Sequence, residues 1–177
     1  GPAPAPSSPL GGADPFSARR GRIIHRLLQV LPDLAADRRL AVMDRYLGGA
    51  DLRLAAAQQA EIAAQVSALL AAPHLAGIFA PGGLSEAPLV GRLGDHVVAG
   101  QMDRLLVGEK EIMVVDYKSG RASETGFHPA YVRQMALYRA LLGQVYPGRA
   151  IRCALLWTET AAVEELPPDL LDSTELV

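Results

Sequence analysis

Two acids and a lysine at the ends of short apolar runs are where this sequence offers chemistry. The runs are Gly100-Gln101-Met102-Asp103-Arg104 and Val114-Val115-Asp116-Tyr117-Lys118. Asp116 and Lys118 are two apart, so on a strand they share a face. An acid that can hold a cation beside a lysine that can hold an anion makes a site for cutting phosphodiesters. Carboxylate oxygens with water are the normal shell of Mg²⁺ or Mn²⁺. Such an ion lowers the pKa of a bound water and polarises a phosphate. A lysine beside it steadies the charge developing on phosphorus. Asp-x-Lys alone also describes a strand end running into solvent, so the pairing of the acids matters. With Gly108-Glu109 as a two-residue turn, Val107 faces Lys110 and Asp103 faces Val114. Asp116 is then the diagonal neighbour of Asp103 on the same face, about 7 Å away.

The elements that must hold these residues follow from periodicity. Residues 1 to 18 carry proline, glycine, alanine and serine and read as a flexible linker. Gly1-Pro2 is compatible with a cloning scar. From Ser17 the spacing of Ile23, Ile24, Leu27, Leu28 and Leu31 predicts a helix. Leu40, Met43, Tyr46 and Leu47 form a second stripe, stopped by Gly48-Gly49. Residues 54 to 72 make a third helix ending near Pro73. Beyond Pro81-Gly82-Gly83 the period becomes two. Strands are expected at 85–93, 96–106 and 111–118, in a meander with turns at Gly94-Asp95 and Gly108-Glu109. A helix follows over 128–145, then strands at 150–157 and 161–165. The tail with Pro167-Pro168 reads as loose. There is no internal repeat.

Composition narrows the class. The 177 residues fit one domain plus a tail, half of them hydrophobic. The net charge of −2 excludes a polycation, so nucleic-acid contact must use a local patch or a larger assembly. One cysteine, Cys153, cannot make an internal disulfide, a four-cysteine zinc site or an iron–sulfur cluster. No apolar stretch reaches the ~20 residues that span a bilayer, and no leader is evident. No membrane partner is expected, and the expected location is the cytoplasm.

The motifs in order resemble the PD-(D/E)XK nucleases, and within them the nuclease domains of the RecB and AddA type. Gly21 and His25 match an early helix motif, and Glu86 an acid on the first strand. Gly100 and Asp103 match the second strand, and Asp116-Tyr117-Lys118 the third. Tyr131, Gln134 and Tyr138 match a final helix motif. Each part alone is weak, and the ordered set spans residues 19 to 160. GRIIHRLLQVLPDL, GQMDRLL, VVDYKSG, AYVRQMALYRALL and ALLWTE resemble in particular the C-terminal nuclease domain of AddA-type helicase–nuclease subunits. Ser119 stands where that family usually has threonine, which keeps a hydroxyl.

The resemblance implies an α/β domain over 19–177. It would have a restriction-endonuclease-like core, a central mixed β-sheet flanked by helices, and an N-terminal helical segment. It implies His25, Asp103, Asp116 and the carbonyl of Tyr117 as metal ligands and Lys118 as the catalytic lysine. Gln134 and Tyr138 would orient the lysine or touch DNA, and Glu86 would be a supporting acid. The cofactor would be Mg²⁺, with Mn²⁺ substituting, and no iron–sulfur cluster. The activity would be exonucleolytic hydrolysis of a DNA strand delivered by helicase domains of the same parent chain. The partner would be an AddB-type subunit, in double-strand break repair by homologous recombination. A freestanding exonuclease of the same fold is one alternative. An inactive nuclease-like domain that binds only DNA or a partner is another.

The same residues have plainer readings. His25 alone is a helix-surface histidine, and Glu86 a strand-start acid. The two tyrosines of the last helix could pack on the sheet with Gln134 incidental. Arg19, Arg20, Arg22 and Arg26 form a basic cluster at the first helix, which is usually a solvated face but can also meet phosphates. Arg104, Arg121, Arg133 and Arg139 are further candidates for DNA contact. Trp157 and Cys153 read as core, and His96 and His128 as exposed.

Overall fold

The structure, a computed structural model, describes residues 15–176. The chain divides into two compact units, one ending at Gly82 and the other running from Gly83.

The first unit is helical. Helix α1 spans Pro15–Val30, and its buried residues Ile23, Ile24, Leu27 and Leu28 follow the i, i+1, i+4, i+5 stripe of an amphipathic helix. It starts at Pro15, so residues 15–18 are helix rather than linker. The rest of the expected linker, residues 1–14, lies outside the described residues. Pro32 then allows only a 3₁₀ turn at Leu31–Asp33. Helix α2 spans Ala36–Leu47 and α3 spans Ala56–Ala71. Helix α2 buries Met43 and Leu47, whereas Leu40, expected on the same stripe, is 60% exposed. Arg39 explains how α2 joins the turn: it donates to the carbonyls of Leu34 and Pro32 at 3.1 and 3.3 Å. Arg20 ties α1 to α3 by an ion pair with Glu61 at 3.0 Å and a hydrogen bond to Gln65.

The second unit is a five-stranded mixed sheet in the order β1-β2-β3-β4-β5. The strands are β1 Leu84–Leu93, β2 His96–Val107, β3 Glu111–Lys118, β4 Ala150–Trp157 and β5 Ala162–Glu165. Pairs β1/β2, β2/β3 and β4/β5 are antiparallel, and β3/β4 is parallel. A parallel pair needs a crossover, which here contains α4, Pro129–Val145. The central strands β3 and β4 are buried on both faces, which accounts for their continuous apolar runs. Helix α4 packs on the sheet through Tyr131, Val132, Met135, Tyr138, Leu141 and Leu142, against Leu89, Met102, Val114, Cys153 and Leu155 among others. The thiol of Cys153 is pushed up to about 12 by burial, so it is an inert core group. The tail is not loose: Pro168 opens a short helix α5, Pro168–Asp172, which buries Leu171. Among the described residues, no helix is long and apolar enough to cross a membrane.

Candidate active site

Strands β2 and β3 bring the two acids together. Their ladder is regular from Val107–Ile112 to Arg104–Val115. One step further, Asp103 stands across from Asp116. There the backbone pairing ends, and Asp103 Oδ2 instead accepts the Tyr117 N–H at 2.7 Å. A side-chain carboxylate thus replaces a strand-to-strand bond and is fixed beside Asp116.

This corrects the expected register. Gly108 N–H donates to Glu111 O at 2.9 Å and Val107 pairs with Ile112, so three residues separate the strands. The pairing shifts by two positions, and Asp103 is opposite Asp116 rather than diagonal to it. A shift of two leaves every side chain on its expected face, whereas a shift of one would not.

Asp116 is 6% exposed. Its carboxyl is pushed up to about 7, first by burial, then by the Asp103 charge and a hydrogen bond with it. Lys118 opposes this shift, with Nζ 2.6 Å from Asp116 Oδ2. Lys118 is also buried, and its Nζ sits 4.1 Å from the ring centroid of Tyr131. The Tyr131 ring is braced edge-on by Trp157 at 6.3 Å. The lysine's backbone is held as well. Its carbonyl accepts from Thr158 N at 2.9 Å and Thr158 Oγ1 at 3.3 Å. The ammonium is therefore placed from both ends: β4 fixes its main chain and α4 its tip.

A second group lies beside this one. Tyr138 donates its hydroxyl to Gln101 O at 3.1 Å and accepts from Gln134 Nε2 at 3.3 Å. The Tyr138 phenol is pushed up to about 12, by burial and then by the Asp116 charge, so it stays a donor. Among the described residues, Gln134 Oε1 is buried without a hydrogen-bond partner. From the same helix, the Tyr131 ring meets Lys118. The sequence reading did not assign that contact, although the residue lay in the motif. It did not assign Thr158 either, and a threonine following a buried strand gives no signal by itself.

Glu86 and His25 stand differently. Glu86 falls in β1 between the pairs Ser85–Arg104 and Ala87–Met102, opposite Asp103 by count. It breaks the ladder, with φ of 51°, a left-handed conformation uncommon outside glycine. Its carbonyl accepts from Gln101 Nε2 at 3.2 Å. His25 is half-buried on α1, in the helical unit. Among the described residues, no group of three His, Cys, Asp or Glu side chains converges to hold a metal ion. The acids that meet are Asp103 and Asp116. Two touching carboxylates, one of them buried and held toward its protonated form, are short of positive charge. Such hard oxygen donors suit Mg²⁺ or Mn²⁺, which retain several waters.

Arg104 leaves the list of DNA contacts. It is 0% exposed, and its guanidinium donates to Ser85 Oγ at 2.9 Å. It lies so close to Gly83 that a Cβ there would come within 2.5 Å. Arg139 pairs with Asp172, Arg133 donates to Leu176 O, and Arg121 pairs with Glu159. His128 caps α4, with Nδ1 accepting the Ala130 N–H at 3.1 Å.

Comparison with known proteins agrees with this geometry at the family level. No curated protein matches the chain. Among solved structures, the crystal structure of SSO0001 is similar at 15% identity and a TM-score of 0.36. The match covers 81% of this chain and 65% of that one, so the chain spans less than two thirds of that protein's length. The family model for the PD-(D/E)XK nuclease superfamily matches residues 8–174. With its five-stranded mixed sheet and an Asp-x-Lys strand facing a second aspartate, the chain belongs to the PD-(D/E)XK nuclease superfamily.

Proposed function

We propose that the chain is the metal-dependent DNA exonuclease domain of an AddAB-type helicase–nuclease. It hydrolyses phosphodiester bonds of one DNA strand during double-strand break repair by homologous recombination. The observation that carries the nuclease reading is the buried contact of Asp103, Asp116 and Lys118 in a chain of this superfamily. The ordered motifs from Gly21 to Tyr138 support the finer assignment. They also support an AddB-type subunit and helicase domains of the same parent chain as partners.

Asp103 and Asp116 would hold Mg²⁺ or Mn²⁺. His25 and the Tyr117 carbonyl are the further donors that the resemblance supplies. When bound, the ion supplies Lewis acidity toward the phosphate and its water. The chain supplies the rest. Lys118 Nζ, held between Asp116 and the Tyr131 ring, is a buried donor for the oxygen that gains charge as the phosphodiester is attacked. Asp103 is held beside Asp116 by the Tyr117 N–H. Gln134 has a buried acceptor left over, suited to a donor from Lys118 or from the substrate. Glu86 supports the acid pair from the neighbouring strand.

Calorimetry with Mn²⁺ tests the reading. Wild-type protein should bind the ion, and Asp116→Ala should abolish the heat. Equal binding by both proteins would remove the acid pair from the metal site and the mechanism with it. A Walker motif upstream in the parent gene would support the helicase-linked form over a freestanding exonuclease.

A further inference from the structure

The helical unit holds a cavity of about 300 Å³ lined by Arg19, Arg22, Ile23, Tyr46 and Leu52. Arg19 and Arg22 are three apart on α1, so they share a helix face. Among the described residues, neither side chain makes a hydrogen bond or an ion pair. Their neighbours differ: Arg20 is taken up by Glu61 and Gln65, and Arg26 donates to Gln29. Two cations at this spacing repel one another, and the repulsion is relieved by one shared anion. Guanidinium forks match phosphate oxygens geometrically. Tyr46, from α2, adds a hydroxyl and a ring against which a sugar or base can stack. Ile23 and Leu52 give the cavity an apolar side. Arg22 is exposed, so its guanidinium is open to a strand at the surface.

We propose that Arg19, Arg22 and Tyr46 bind a phosphodiester of the DNA strand, apart from the one being cut. This rests on the nuclease reading above and adds a strand-holding site to it.

The test is fluorescence anisotropy of a labelled oligothymidylate with the full chain in EDTA, where nothing is cut. Arg19→Ala/Arg22→Ala should weaken binding ~10-fold and lower the salt slope by about 0.7, the value for one single-strand phosphate contact. Arg19→Lys/Arg22→Lys should keep the slope. Arg38→Ala/Arg45→Ala removes the same charge from exposed positions of α2 outside the cavity and should change binding little. Equal loss in the two alanine pairs would reduce the effect to general charge and overturn the site. So would unchanged binding, or full competition by inorganic phosphate at equal concentration. If only the cavity variants fail to respond while Mn²⁺ binding at Asp116 is intact, this inference falls alone. If the wild type does not bind the oligonucleotide at all, the strand-holding site and the nuclease reading fall together.

Discussion

Tyr138 lies against β2 at Gly100 so closely that a Cβ on residue 100 would come within 2.7 Å of its ring and 3.0 Å of its hydroxyl. The glycine is thus not a general loosening of the strand. It is the clearance that lets the phenol reach Gln101 O and meet Gln134.

Gly100→Ala should therefore destabilise the protein by about 1–3 kcal/mol, as overpacking does. It should also lower nuclease activity by displacing Tyr138. A double-mutant cycle with Tyr138→Ala checks this by denaturant unfolding. Alanine at 100 should do much less harm once the ring is gone. Additive losses would mean the two residues are not coupled.

The site was legible where one strand carried it and less so where two had to be aligned. Asp116 and Lys118 share a face by strand period alone, and the ion pair between them follows. The face of Asp103 was also legible, but its partner was not. A glycine at 108 marks a turn without fixing its length, and the Gly108–Glu111 bond lengthened it. The helix α5 was obscured because Pro167-Pro168 reads as a break, although a proline at the first helical position also starts one. The Gly100 clearance and the Tyr131–Lys118 contact depend on how α4 lies on the sheet, which no local pattern encodes.

Asp116 makes the metal-free protein pH-sensitive. Its folded pKa, about 7, lies above the ~3.9 of an unfolded aspartate. The folded state therefore holds a proton that the unfolded state releases, and stability falls as pH rises between the two values. Above about 7 both states are ionised and the curve levels. Unfolding in EDTA across pH 4 to 8 should show this decline, on the order of a few kcal/mol. Asp116→Asn should flatten it. A slope that survives the substitution would place the proton elsewhere.

Arg104 should behave as a structural arginine. It is fully buried and reaches Ser85, so Arg104→Ala leaves polar groups unmatched and should cost about 2 kcal/mol or more. The salt dependence of DNA binding should not change, because no phosphate reaches it. A shallower salt slope in the variant, with the fold intact by circular dichroism, would return Arg104 to the list of DNA contacts.

Lys118 separates metal binding from chemistry. Lys118→Ala removes the ammonium 2.6 Å from Asp116 but leaves both carboxylates in place. Mn²⁺ binding should survive, since losing a nearby positive charge favours a cation. Strand cutting should be abolished. Tyr131→Leu is the subtler partner, because it keeps the ammonium and removes only the ring beneath it. A cation–π contact in a buried site contributes about 1–2 kcal/mol. If that energy positions the lysine, cutting should slow by roughly 10-fold with Mn²⁺ affinity unchanged. Cutting by Lys118→Ala at the wild-type rate would make the lysine a structural counter-ion of Asp116 and remove it from the mechanism.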